Sequence, residues 1–161
     1  MRGTVAEDMK FISDSLCHPS EMRLLFRASE HQFAAEAFHS KCDGINDTFV
    51  LVRTEFGKTI CGYTHYKWNE WLKKNLGSNY VIDSGRRAFL LLMEQQQKVV
   101  PQIDAGIIVC DNGWGPYFGG YYGWNPLKIC DNCNSEANST SIRFGGQYNT
   151  EGTDRNYGCC Q

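Results

Sequence analysis

Two β-rich runs joined by four turn residues constrain this chain more than any other feature. Thr48-Phe49-Val50-Leu51-Val52-Arg53-Thr54 and Thr59-Ile60-Cys61-Gly62-Tyr63-Thr64 flank Glu55-Phe56-Gly57-Lys58. β-Branched and aromatic side chains favour extended backbone, and a short link carrying glycine suits a tight reversal, so the pattern predicts an antiparallel hairpin. Upstream, the apolar run Leu24-Leu25-Phe26 stops at Ser29, whose hydroxyl can cap a helix, and Gln32 completes a capping-box pattern. From Glu30 onward, Phe33, Ala34, Ala37 and Phe38 recur at helical spacing while Glu30, Glu36 and Lys41 fall mostly elsewhere. That predicts a helix burying Phe33 and Phe38 and ended by Asp43-Gly44. The expected order is strand, helix, hairpin.

With 161 residues and no internal repeat, the chain fits one domain. Residues 1–11 are mostly polar and read as a flexible N-terminus ahead of a domain spanning 12–161. Phe11-Ile12 and Leu16 can pack in front of the first strand, with Ser13 or Ser15 starting a short helix that Pro19 breaks. Ala88-Phe89-Leu90-Leu91-Leu92-Met93 is a continuous apolar run of strand length, which predicts a central strand covered on both faces. Ile107-Ile108-Val109-Cys110 gives the next strand, ended by Asp111-Asn112-Gly113. Gly115-Pro116 and Gly119-Gly120 bracket Tyr117-Phe118 as a tight crossing. Leu127-Lys128-Ile129-Cys130 is a short strand, followed by an Asn/Ser loop to Thr140 and a further short run, Ile142-Arg143-Phe144. Strand-length runs outnumber the one convincing helix. The expected class is therefore α+β, two packed antiparallel β-sheets in a β-sandwich flanked by short helices.

Lys plus Arg total 16 against 18 Asp plus Glu, a net charge of −2, so no strong field favours nucleic acid or an anionic membrane. No apolar run approaches the roughly 20 residues a membrane-spanning helix needs. Eight cysteines would suit a disulfide-stapled secreted protein, but Met1 to Phe11 lacks the apolar core of a signal peptide. Free thiols and a cytoplasmic location are expected. Cys130-Asp131-Asn132-Cys133 has the spacing of half a zinc site or a redox pair, and Cys159-Cys160 would have to supply the other thiolates. Adjacent cysteines rarely both point at one metal, so no metal or cofactor is expected. His39 and Cys42 share a helix face, which suits a Cys-His nucleophile or two ligands, but core packing and a helix-ending hydrogen bond suit it equally. His18, His31 and His65 lack a matching partner, and Glu30, Glu36, Asp43, Asp47 and Glu55 read as caps or solvated charges. Gly115, Gly119, Gly120 and Gly123 imitate a phosphate loop without its lysine. No catalytic, cofactor-binding or metal residue is assigned. The expected mode is non-enzymatic, the alternatives being a thiol redox or Cys/His enzyme at Cys130/Cys133 or His39/Cys42, and an adaptor or fragment without independent activity.

In order and spacing, LLFRAS, AFHSKCDG, the T-x-x-L-V-x-T strand, the FGK turn, GYT, FLL near residue 90 and GPYFGG resemble the TLDc family, most closely its short members from unicellular eukaryotes. The resemblance implies two antiparallel sheets with helices at the edges, a role in oxidative-stress protection and, as in several members, binding to the vacuolar proton ATPase. Two departures stand out. Members usually carry a His-Asp pair where this chain has Tyr121-Tyr122-Gly123-Trp124-Asn125-Pro126, and they close with apolar strands where it has GQYNTEGTDRNYGCCQ. The closing strands are expected to be missing, leaving an open sheet edge for self-association or for a partner's strand. Contact through a protein partner is expected to use exposed aromatics, which concentrate at Tyr63–Trp71 and Trp114–Trp124.

Overall fold

The computed structural model describes residues 4–16, 21–69, 80–83, 85, 87–100, 106–119, 127–135 and 140–141. Among them are helices α1 (Val5–Ser15) and α2 (Ala35–Cys42) and strands β1 (Thr48–Arg53), β2 (Thr59–Thr64), β3 (Tyr80–Ile82), β4 (Phe89–Leu92), β5 (Gln97–Val99), β6 (Gly106–Val109), β7 (Trp114–Phe118), β8 (Leu127–Cys130) and β9 (Thr140–Ser141). The strands form two antiparallel sheets, ordered β1-β2-β4-β5 and β3-β6-β7-β8-β9. This is the α+β sandwich expected from the alternation of strand runs and turns.

The β1–β2 hairpin pairs Thr48 with Thr64 through to Arg53 with Thr59. Its turn is closed by the Thr54 N–H on the Lys58 carbonyl at 2.8 Å, with Gly57 at φ 71°, a conformation that glycine adopts without penalty. Period-two alternation then sorts the side chains. Val52, Ile60, Leu90, Leu92 and Val99 point inward and meet Val81, Ile108, Phe118 and Leu127 of the second sheet. Cys61, Phe89 and Leu91 point outward and are covered by Phe11, Ile12 and Leu16 of the N-terminal segment.

That cover explains the continuous apolar run of β4, whose four residues are all buried. Within the N-terminus expected to be loose over 1–11, residues 5–11 are helical. Thr4 caps α1, its hydroxyl accepting from the Glu7 N–H at 3.3 Å while the Glu7 carboxylate accepts from the Thr4 N–H at 2.6 Å. The helix begins there rather than at Ser13 or Ser15, and it runs through residue 12, where the domain was expected to start. Sequence polarity missed it because only Ile12 and Ser15 of α1 are fully buried.

The second helix starts later than its capping pattern suggests. Ser29 lies in a one-turn 3-10 helix, Ala28–Glu30, and Gln32 and Phe33 take left-handed φ values of 54° and 57°. Phe33 is therefore only half-buried, whereas Phe38 is buried as expected. The N-terminus of α2 is served from afar: the Asp131 carboxylate accepts from the Ala35 N–H at 2.7 Å, and the Asn132 N–H donates to the Phe33 carbonyl at 3.1 Å. A distant carboxylate does the work expected of Ser29.

Trp68 sits in the core at 1% exposure. Its ring meets Phe38 edge-on at 5.3 Å and Phe118 at 5.6 Å, and its indole N–H donates to Thr48 Oγ1 at 3.0 Å. The glycine-bracketed segment expected as a crossing is strand β7, with a register irregularity between Trp114 and Tyr117. The run Ile142-Arg143-Phe144, the closing strands and the open edge they would leave lie outside the described residues.

Candidate functional site

Hairpin register brings the residues before β1 beside those after β2. Asp47, at φ 54°, projects a carboxylate whose Oδ1 accepts from Tyr63 Oη at 2.6 Å and from His65 Nδ1 at 2.8 Å, while the Asn46 amide donates to Oδ2. Partial burial would push the Asp47 acid up, but hydrogen bonds from Tyr63 and His65, the imidazole charge and Asn46 outweigh it and hold the acid below its ordinary value. The β3–β4 connection completes the place. Asp83, 2% exposed, accepts from the Ala88 N–H at 2.6 Å and from Tyr66 Oη at 3.3 Å. The Arg87 guanidinium lies over the Tyr66 ring, 5.8 Å from its centroid.

Between these segments opens a cleft of about 390 Å³ lined by Asn46, His65, Tyr66, Lys67 and Arg87. Neither Lys67 nor Arg87 forms an ion pair with a described residue. Of the described carboxylates close by, Asp47 accepts from Tyr63, His65 and Asn46, and Asp83 from the Ala88 N–H and Tyr66. A second accessible patch lies on β7 and β8, where Lys128 Nζ sits 3.2 Å from the Trp114 ring centroid and 5.5 Å from that of Tyr117. Both rings are half-buried, which fixes them while leaving an apolar edge available.

Each of the two expected aromatic surfaces mixes core and half-buried rings. In the stretch Tyr63–Trp71, Trp68 is core, while Tyr63, stacked on Phe89 at 5.0 Å, and Tyr66, which lines the cleft, are half-buried; Trp71 lies outside the described residues. In Trp114–Trp124, Trp114 and Tyr117 reach the surface, Phe118 is buried, and residues 120–124 lie outside the described residues. Aromatic content alone could not separate these cases, because rigid rings serve cores and interfaces equally well.

His39 and Cys42 are held by packing. His39 Nδ1 lies 2.8 Å from Asp43 Oδ1, and Nε2 lies 2.9 Å from the Trp114 carbonyl and 3.1 Å from that of Asp111. Both ring nitrogens thus fasten α2 to itself and to the β6–β7 turn. Burial, aided by the Asp43 charge, pushes the Cys42 thiol up to about 11. Burial, with Asp8 and Glu94, pushes Cys61 up to about 12. Nucleophilic cysteines are shifted the other way.

Cys130 is half-buried at the end of β8 and Cys133 is buried in the following turn, with Asp131 and Asn132 between them tied to α2. Among the described residues, Cys42 and Cys61 are free thiols. Cys159 and Cys160 lie outside the described residues, and no group of three or more His, Cys, Asp or Glu is arranged for a metal among the described ones. No helix among the described residues is long and apolar enough to cross a membrane.

These thiols yield a test. Near neutral pH the folded state should hold roughly a hundredfold less Cys42 thiolate than the unfolded chain does, so alkylation should be slow until the protein unfolds. The sign follows from the upward shift: a thiol whose folded pKa lies above its unfolded value favours the fold below about pH 8.5. That contribution fades as the pH rises toward about 11 for Cys42 and about 12 for Cys61. Stability should therefore fall on the alkaline side, and Cys42→Ala should flatten the fall. Fast stoichiometric alkylation of Cys42 and Cys61 in the folded protein at neutral pH would contradict the buried placement.

Sequence reasoning missed the cleft. Its lining comes from three segments, and the only local signal was the hairpin register that sets Asp47 near Tyr63 and His65. Nothing local pointed to Arg87.

Two packed antiparallel sheets, one with a helix across its outer face, and accessible polar and aromatic groups at strand ends and turns define the class as an α+β sandwich. The chain belongs to the TLDc family, whose TLDc domain model matches residues 4–157. Membership ties it to a family role commonly related to oxidative stress, in a family whose domains generally serve protein interaction. The match runs through the polar tail, where no apolar strand is legible. No curated protein matches the chain.

Proposed function

We propose that this chain is a non-enzymatic TLDc module that supports oxidative-stress protection by contact with another protein, the vacuolar proton ATPase being the partner that the family points to. Family membership over residues 4–157 carries the reading. Two features of the chain support it. The His39 ring nitrogens are both turned to Asp43 and to main-chain carbonyls, and the Cys42 thiol is pushed up to about 11, so the pair that most resembled a nucleophile is built as a clamp. Trp114 and Tyr117, held in place and backed by Lys128, offer rigid partly exposed aromatics of the kind that dominate binding energy at interfaces.

An affinity pull-down from cell extract, with bound proteins identified by mass, tests the proposal. The folded native chain should recover peripheral subunits of the proton pump, and folded Trp114→Ala should recover about tenfold less. No pump subunits on the native chain would remove this partner. Enzymatic turnover abolished by Cys130→Ser would replace the contact reading with thiol chemistry.

A further inference from the structure

We propose that the cleft lined by Asn46, His65, Tyr66, Lys67 and Arg87 is a recognition site for a phosphoryl group carried on a partner polypeptide. This deepens the contact reading above and rests on it. Charge accounting comes first. The nearby described acids keep their charge but have their oxygens engaged internally: Asp47 accepts from Tyr63, His65 and Asn46, and buried Asp83 accepts from the Ala88 N–H and Tyr66 Oη. Lys67 and Arg87 line the cleft and form no ion pair with a described carboxylate. An anion entering there meets two cations that no described carboxylate pairs with.

The donors are also held in place. His65 Nδ1 donates to Asp47 at 2.8 Å, which holds the imidazole in place as a wall of the cleft. The Tyr66 backbone N–H donates to Thr64 Oγ1 at 3.0 Å and its hydroxyl to Asp83, so the ring is a fixed wall, and Arg87 rests on it. The Lys67 carbonyl takes the Cys110 thiol at 3.9 Å. Fixing side chains and backbone before binding lowers the entropy lost on ordering them.

Ligand chemistry follows from the donor set. An ammonium, a guanidinium fork and an amide come from three chain segments, and three terminal phosphoryl oxygens accept from three directions where a carboxylate offers two oxygens. The source follows from what surrounds the cleft. Attraction to an anionic bilayer takes a cluster of about four to eight basic residues, and duplex binding takes several phosphate contacts. Two cations without an ion pair among the described residues, on a chain of net charge −2, suit a single dianionic side chain on a protein.

The test uses the full chain and a synthetic peptide bearing one phosphoserine among neutral residues, with binding followed by calorimetry and by the amide resonances of residues 44–67. The phosphoserine peptide should bind and its unphosphorylated twin should not. Inorganic phosphate alone should shift the same resonances more weakly. Arg87→Ala and Lys67→Ala, at exposed positions, should each weaken the peptide by about tenfold, whereas Trp114→Ala should leave it unchanged. Equal binding of the unphosphorylated peptide, an Arg87→Ala variant with native affinity, or binding to phosphatidylserine vesicles but not to the peptide would each overturn the site. Phosphatase treatment of the pull-down extract separates this proposal from the one it rests on. Pump subunits recovered in full after treatment, with no phosphopeptide binding, sink the cleft and leave the contact reading standing. Phosphopeptide binding with no pump subunits recovered leaves the cleft and removes the pump.

Discussion

Trp68→Ala should cost about 3–5 kcal/mol and lower the melting temperature by roughly 10 °C or more. Trp68 stands where α2, the end of the hairpin and the second sheet meet, between Phe38 and Phe118. Its removal empties a volume that no neighbour can fill, because Phe38 at 3% exposure and Phe118 at 0% are themselves packed on the far side. It also strips the indole donor from Thr48 Oγ1, leaving a buried hydroxyl with fewer partners. Cavity and lost hydrogen bond act in the same direction, and the total is a large share of the stability of an ordinary domain. Denaturant unfolding of the native and variant chains measures it. An unchanged midpoint would mean that Trp68 lies on the surface and that the packing between the sheets is wrong.

Gly62→Ala should also destabilise, by about 1–3 kcal/mol, although alanine suits a strand better than glycine does. The added Cβ would lie 2.5 Å from Phe118 Cε2 and 2.6 Å from Cζ. Phe118 is a fully buried ring, flanked by Trp68, so it cannot swing aside as the end of an exposed side chain would. Glycine at this inward position of β2 is what lets a ring of the facing sheet seat against the backbone. The pairing can be isolated: Phe118→Leu is destabilising alone, yet Gly62→Ala should cost less in that background than in the native one. Additive penalties from unfolding curves of the four proteins would show that the two positions do not touch.

The parts of this fold that could be read in advance are those whose cause is local. The β1–β2 hairpin is written in two strand runs and a glycine turn, and β4 declares its burial by having no polar face. What β4 could not declare is its second cover. That cover is α1, a mostly polar segment which earns its helix from Thr4 and Glu7 and from two or three apolar side chains laid on Phe89 and Leu91. The start of α2 was misplaced for a related reason, since Asp131, far along the chain, caps Ala35 and left Ser29 free to lie in a 3-10 turn. Trp68 was read as surface because a single sequence cannot say which aromatics face inward. The cleft was invisible as a unit, for His65, Lys67 and Arg87 become neighbours only through strand pairing and the β3–β4 connection. Long-range contacts decide each of these, and local pattern carries no record of them.

Direct binding of the purified chain to the isolated peripheral sector of the vacuolar proton ATPase tests the contact account most directly. The account predicts saturable binding that survives Cys130→Ser and is weakened by folded Trp114→Ala. No binding by the folded native chain, or a catalytic turnover that disappears with Cys130→Ser, would contradict it.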